Sequence, residues 1–180
     1  MVNWLVASSL HPSSYTGGDF NIANEKSNIG NVQATLRNAS EQDLPAIKRI
    51  VRDAYEGYIP RIGGPPAPMT DDYQNHVTAG HVWVLLLDNQ IVALMVLVPK
   101  PDHMLLDNIA VAPGKQRQGL GRRLMYFAEA RARQCAYKEV QLYTNERMHE
   151  NIAFYKGLGY EETARRVDSG FKRVFMKKTL

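Results

Sequence analysis

"VAPGKQRQGLGRRL", residues 111–124, sets Gly119 and Gly121 among the basic residues Lys115, Arg117, Arg122 and Arg123, between an apolar run and the start of a helical pattern. Downstream, Leu120, Leu124, Phe127 and Ala128 recur at helical spacing while Arg122, Glu129 and Arg133 fall on the opposite side, which predicts a helix over 119–134 with one buried stripe. Upstream, "HMLLDNIAVAP" reads as a strand. A strand, two glycines and then a helix leave the first-turn N–H groups without intrahelical acceptors and pointing into one concavity. Such a terminus attracts anions, and positions without Cβ atoms let a bulky anion reach the backbone. A diphosphate fits that description. The segment is no Walker P-loop, because no Gly-Lys-Ser/Thr follows, and no dinucleotide fingerprint, because Leu124 stands where the third glycine would be. Taken alone, a tight turn that packs a helix onto a sheet explains it about as well.

Working outward, "VQATLR" from Val32 alternates like a strand, and Ser40 with Asp43 opens a helix marked by Leu44, Ile47, Ile50, Val51 and Tyr55. "IPRIGGPPAPMTDD" follows, whose prolines and two glycines exclude regular structure, and then a short helical stretch around 73–79. "HVWVLLLDNQIVALMVLVP" is two β-rich runs about Asp88, Asn89 and Gln90, a hairpin with a tight turn, and the third run, "HMLLDNIAVAP", pairs antiparallel with the second. "EVQLYT" is a strand, 149–158 a short helix stopped by Gly159, and "EETARRV" with "FKRVFMKK" a closing hairpin. The order β-α-α-β-β-β-α-β-α-β-β predicts an α/β (α+β) chain with a mixed central sheet of about seven strands flanked by about four helices. Residues 1–31, rich in Ser, Asn and Gly and without sustained period, read as a non-catalytic tail or leader, leaving 32–180 as a single domain.

Composition agrees. The chain has 180 residues, enough for one main domain, with 44% hydrophobic and 22% charged residues and no apolar stretch of the roughly 18 residues a spanning helix needs. "NWLVASSL" has no basic residue before its apolar run, which speaks against a secretory signal, and the single Cys135 excludes an internal disulfide framework. Both suit a reducing cytoplasm and no membrane partner. The net charge is +4, with clusters at 115–133 and 165–178 that would draw an anionic ligand. Nucleic acid is the weakest reading of that charge, because no aromatic platform interleaves it. His11, His76, His81, His103 and His149 are scattered without ligand spacing, so no metal is expected.

"LDNIAVAPGKQRQGLGRRL", followed some thirty residues later by "NIAFYKGLGY", resembles the GCN5-related N-acetyltransferase (GNAT) family, whose Gln/Arg-x-x-Gly-x-Gly/Ala signature opens the central helix and holds the diphosphate of acetyl-CoA. The resemblance spans 32–180 in element order and implies the GNAT fold, acetyl-CoA as co-substrate and no metal. It implies that backbone groups of Gln116, Arg117, Gln118, Gly119, Leu120, Gly121 and Arg122 cradle the diphosphate. It further implies that Ile109, Ala110 and Val111 present main-chain groups to the pantetheine arm, which lies like an added strand where this strand and "EVQLYT" splay apart.

Direct acyl transfer needs a neutral amine, a polarised thioester carbonyl and a proton for the departing thiolate. Tyr155 sits where the similar proteins place that acid, and a phenol near 10 can protonate a thiolate near 8.5 when the geometry is held. Without the surrounding motif, a packing aromatic beside Phe154 would describe it as well. Family members carry the base on the strand after the hairpin or on the one after the central helix. The second place holds Tyr143; the first offers Asp107, two residues before Ile109 and so expected on the same strand face. A solvated aspartate describes Asp107 equally, and Glu146 and His149 are its rivals. Met148 stands where an asparagine that contacts the cofactor often does, so Asn145 or Asn151 substitutes, Asn151 lying one turn before Tyr155.

The Pro-rich loop holds the position of the acceptor-site wall, where Tyr58 and Arg61 are candidates to touch substrate, Arg61 through a carboxylate or phosphate; a stiff surface loop is the alternative. The leading expectation is an acyltransferase that N-acetylates a small-molecule amine. Acetylation of a protein or peptide amine and a catalytically silent acyl-CoA-binding module are the alternatives. Dimers are frequent among the proteins it resembles, which makes a homodimer a further expectation.

Overall fold

The computed structural model describes Phe20, Asn21 and residues 34–180. Strand β1 (Phe20–Asn21) pairs antiparallel with β2 (Ala34–Asn38). The rest of the tail assigned to 1–31, and Val32 at the start of the predicted first strand, lie outside the described residues. Helix α1 (Leu44–Tyr55), the single turn α2 (Ile59–Ile62) and α3 (Tyr73–Thr78) follow, then β3 (Val82–Leu87), β4 (Gln90–Pro99) and β5 (Met104–Val111). Helix α4 (Leu120–Gln134) leads to β6 (Glu139–Asn145), α5 (His149–Lys156) to β7 (Glu161–Asp168), and β8 (Phe171–Thr179) closes the chain. The sheet runs β1-β2-β3-β4-β5-β6-β8-β7. The mixed sheet and helices are the expected ones, with β1 and α2 added.

Alternation along the strands sorts the core into two layers. Val82, Val84, Leu94 and Val96 face α1 and α3, while Leu85, Ala93, Met95 and Leu97 face α4 and α5. The β3–β4 turn is the two residues Asp88 and Asn89, at φ 46° and 61°, the left-handed pair that suits the twist of a hairpin. Helix α2 corrects the reading of "IPRIGG" as irregular. Pro60 sits in the first turn, where a missing N–H costs nothing, and Gly63 at φ 90° ends the helix.

Glu129 corrects the expected polar face of α4. It is buried, and both its carboxylate oxygens accept from Lys178 Nζ of β8 at 2.9 Å. Replacing Lys178 by Met strands that carboxylate in the core. Because the Lys178 side chain is partly exposed, the expected loss is about 2 kcal/mol rather than the full cost of breaking a buried pair. Urea unfolding of the two chains checks it, and an unchanged midpoint would rule the pair out as a stabilising contact.

One irregularity positions the site. Val96 pairs with Asn108 and Leu97 with Leu106, so Asp107 has no partner on β4 and bulges from β5. The bulge reverses the alternation: Leu106 belongs to the α4-side core, whereas Ala110 belongs to the α1-side core. This overturns the expectation that Asp107 shares a face with Ile109 by simple spacing of two. At the same place β5 leaves its parallel neighbour. The β5–β6 register covers Met104↔Val140 to Leu106↔Leu142 only, so beyond it 107–111 and 143–145 diverge.

Candidate functional site

The divergence of β5 from β6 opens the centre of the sheet, and two cavities meet there. The larger, a groove of about 620 Å³, runs from Ile109–Val111 to the start of α4 and is flanked by Tyr58 of the first helical layer and Phe154 of α5. The carbonyls of Ile109 and Val111 turn from the ladder, the first lying 3.0 Å from the Tyr55 hydroxyl oxygen and the second accepting from the Gln116 side-chain amide at 3.1 Å.

At the far end Gly119 takes φ 81° as the residue that starts α4, and Arg117 takes φ 60°. The first amide bond of the helix runs from Arg123 N–H to the Gly119 carbonyl at 3.1 Å. Among the described residues, the N–H groups of Arg117 through Arg122 donate to no protein acceptor. A Cβ built on Gly119 would meet nothing within 4 Å. Free amides, a helix N-terminus, open space over a glycine and adjacent guanidinium groups together make an anion cradle. Its donors fit a diphosphate, and the groove between cradle and strand fits a long thioester carrier.

The smaller cavity, about 60 Å³, lies on the other side of Tyr155. Tyr55, Ile109, Asn151 and Tyr155 line both, so the two spaces adjoin at these side chains. Pro66, Ala67 and Pro68 of the Pro-rich loop wall the small cavity, opposite Tyr143 and Arg173. Tyr155 is 6% exposed, its ring 5.4 Å from Phe154 and 6.1 Å from Tyr160. Burial pushes its phenol well up, with Tyr58 adding to the shift, so the hydroxyl keeps its proton across the neutral range.

Beneath the junction runs a buried polar chain. Tyr55 donates to Asn108 Oδ1 at 2.6 Å, Asn108 Nδ2 donates to the Tyr73 hydroxyl at 2.7 Å, and Tyr73 donates to the Pro68 carbonyl at 3.1 Å. Each member is satisfied, so the chain ties α1, α3, β5 and the Pro-rich loop together. Asp107 accepts from the Tyr143 hydroxyl, and Arg173, paired with Asp168 at 2.8 Å, stacks 3.9 Å over the Tyr143 ring. Desolvation first, then the Asp107 carboxylate, pushes the Tyr143 phenol up, so it acts as a donor to Asp107.

The bulge also turns Asp107 toward α3. A carboxylate oxygen of Asp71, a ring nitrogen of His76 and a carboxylate oxygen of Asp107 all lie within 4.8 Å of one another, and His76 Nδ1 is 3.5 Å from His81 Nδ1. Histidines that looked scattered in the sequence are thus brought to one place.

Of the sequence-expected residues, Ile109, Ala110, Val111, Gln116, Arg117, Gly119, Leu120, Gly121, Arg122 and Asn151 line the groove, and Tyr155 stands where it meets the small cavity. Gln118 lines neither cavity; its side chain donates to the Gly114 carbonyl at 3.4 Å. Tyr58 faces the groove rather than the small cavity, and Arg61 lines neither, pairing with Glu150 at 2.7 Å. Asn151 Nδ2 contacts the sulfur of buried Met148 at 3.4 Å, while Asn145 caps the Arg147 amide at 2.9 Å. Glu146 pairs with Lys172 at 3.4 Å and His149 is exposed; neither lines a cavity. Missed in the sequence were Tyr55, Asn108 and Tyr73, whose helical and strand spacing reads as ordinary core, and Asp71, His76 and Arg173, distant in the chain. Among the described residues, no helix is long and apolar enough to cross a membrane.

Residues 44–160 match the sequence profile of the acetyltransferase (GNAT) family. The chain is 30% identical over 143 residues to the uncharacterized N-acetyltransferase YjgM of Escherichia coli (strain K12), covering 74% of this chain and 86% of that protein. Its fold is similar to that of the PaiA N-acetyltransferase of Thermoplasma acidophilum in complex with coenzyme A (TM-score 0.70, 15% identity, 82% of this chain and 99% of that one). It is also similar to a GNAT family acetyltransferase of Elizabethkingia anophelis with acetyl-CoA bound (TM-score 0.52, 21% identity, 60% and 81%).

Proposed function

The chain belongs to the acetyltransferase (GNAT) family, and from that premise we propose that it transfers the acetyl group of acetyl-CoA to the primary amine of a small molecule by direct attack. The carrying observation is the meeting, at Tyr155, of a 620 Å³ groove that starts at a free-amide cradle with a 60 Å³ side cavity. The groove takes the acyl donor as substrate: diphosphate on the amides between Gln116 and Arg122, pantetheine along Ile109–Val111 as an added strand. Binding displaces the Gln116 side chain from the Val111 carbonyl, which then serves the pantetheine amide. Asn151, at the junction, supplies a further polar contact to the carrier.

The small cavity takes the acceptor, whose size is limited by Pro66 and Pro68 on one side and Tyr143 on the other. A primary amine is about a thousandfold protonated at neutral pH. Asp107 accepts that surplus proton, and the neutral nitrogen attacks the thioester carbonyl. The N–C bond forms, the C–S bond breaks, and Tyr155 gives its proton to the departing sulfur while regaining one from the acylated nitrogen. The balance is one acetyl moved and one proton released. A cytoplasmic setting, with Cys135 reduced, suits this chemistry.

Thiol release from acetyl-CoA across a panel of amino acids, polyamines, aminoglycosides and short peptides tests the reading. Turnover is expected with one class of compact amines and not with peptides. Peptides outpacing every small amine would replace the small-molecule acceptor with a protein one. Tight CoA binding with no acceptor above hydrolysis would make the chain a silent acyl-CoA-binding module.

A further inference from the structure

We propose that Asp71, His76 and His81 form a proton relay behind Asp107 that carries the acceptor's ammonium proton from the small cavity to solvent; it rests on the acetyl transfer proposed above. The geometry is a line of four groups. Asp107 borders the small cavity, and its carboxylate lies within 4.8 Å of both Asp71 and His76, a gap one water molecule spans. His76 Nε2 is 3.3 Å from Asp71 Oδ2, and its other ring nitrogen faces His81 at 3.5 Å. The two imidazoles lie 5.8 Å apart between ring centroids and are both partly exposed. Each step is therefore either a hydrogen-bond distance or one bridging water, and the line ends where bulk water reaches it.

The chemistry explains why a carboxylate alone is a poor end point. A carboxylate is a weaker base than an imidazole, so a proton placed on a carboxylate moves on readily to a ring within reach. Asp107 can take the proton from the ammonium only if the proton is quickly passed on. His76 receives it on the nitrogen that faces Asp71, and the opposite nitrogen releases a proton to His81, so the ring turns over no net charge as the proton leaves. Burial first, then His76 and Lys100, push the His81 pKa down against an opposing push from Asp107, so His81 hands its proton on to water rather than holding it. Among the described residues, the other charged or titratable groups facing this line are Tyr55 on α1, Tyr73 on α3, Lys100 after β4, Tyr143 on β6 and, over the Tyr143 ring, Arg173 on β8. None of these interrupts it: Tyr73 and Tyr143 keep their protons, and Arg173 is paired with Asp168.

Two measurements on the full chain test the relay. In the first, the Cε1–H signals of His76 and His81 are followed by NMR against pH. Coupled rings share their first proton and take the second at clearly lower pH, and Asp107→Asn shifts both curves. Two independent titrations that ignore Asp107→Asn would overturn the relay. In the second, kcat/KM with the panel amine of highest turnover is measured against pH. His76→Gln is expected to lower it 10- to 100-fold at pH 7 and to erase the acidic limb, with KM for acetyl-CoA unchanged. His81→Gln gives a smaller loss, and imidazole restores His76→Ala, a rescue that a merely structural histidine would not show. A wild-type pH profile in His76→Gln sinks the proposal, as does activity lost in EDTA and restored by Zn²⁺, which would make the trio a metal site. If no amine turns over, the transferase reading fails and the relay with it, whatever the NMR curves show, whereas turnover with a wild-type pH profile in His76→Gln fails the relay alone.

Discussion

Tyr155→Phe is expected to lower kcat about a thousandfold at saturating acetyl-CoA and amine, about 4 kcal/mol of barrier, with CoA affinity within twofold of the parent. The size follows from what the hydroxyl supplies. An alkyl thiolate leaving a tetrahedral intermediate needs a proton in the same step, and a positioned phenol at this buried junction supplies it better than a diffusing water. The selectivity follows from what it does not supply. The ring packs against Phe154 and Tyr160, and phenylalanine refills that space, so the groove proposed for the carrier keeps its shape. The pH dependence has a definite sign. An acid works while protonated, and burial raises this phenol, so loss of the acid moves to higher pH than for a free tyrosine. No descending limb attributable to Tyr155 is therefore expected below about pH 10. Stopped-flow thiol release with calorimetric CoA titration separates the two quantities, and an unchanged kcat removes Tyr155 from the mechanism.

What the sequence disclosed and what it concealed divide along one physical line. Periodicity reports which residues an element buries, so α1, α4 and the hairpin of β3 and β4 were legible from apolar spacing and from Asp88-Asn89. The cradle was legible too, because a glycine pair between a strand and a helix has local backbone consequences. Concealed were the features that depend on a neighbour's position. The bulge at Asp107 arises from pairing with β4, and "LLDNIAV", apolar but for Asp107 and Asn108, does not mark where the register slips. Simple counting therefore put Asp107 on the face of Ile109, while the folded strand turns it toward His76 and Tyr143. Glu129 was concealed for the same reason: a helical wheel places it opposite Leu120, but the chain's last strand brings Lys178 across to it. His76 and Asp71 were beyond reach, since their spacing acquires meaning only once α3 is laid against the bulge.

Gly119→Val is expected to weaken CoA binding about a hundredfold, and a second substitution shows why. Two separate demands meet at this residue. Its φ of 81° is a region a β-branched side chain enters only with strain, at roughly 1–2 kcal/mol. A Cβ there would meet nothing in the protein within 4 Å, and in the proposed binding mode this is where the diphosphate would approach the amides on either side. Valine offends both demands, whereas Gly119→Asn largely meets the first, since asparagine tolerates left-handed backbone, and still places a Cβ in the anion's path. Thermal unfolding should therefore fall measurably for Gly119→Val and little for Gly119→Asn, while both lose CoA affinity, the second about tenfold. S-acetylpantetheine, which has the thioester arm but no diphosphate, supplies the control: its affinity should be the same in the parent and in Gly119→Asn. If CoA binds both variants as tightly as the parent, the amides at the head of α4 are not what holds the carrier. If acetylpantetheine weakens in step with CoA, the glycine acts through the fold of the groove rather than through the phosphates.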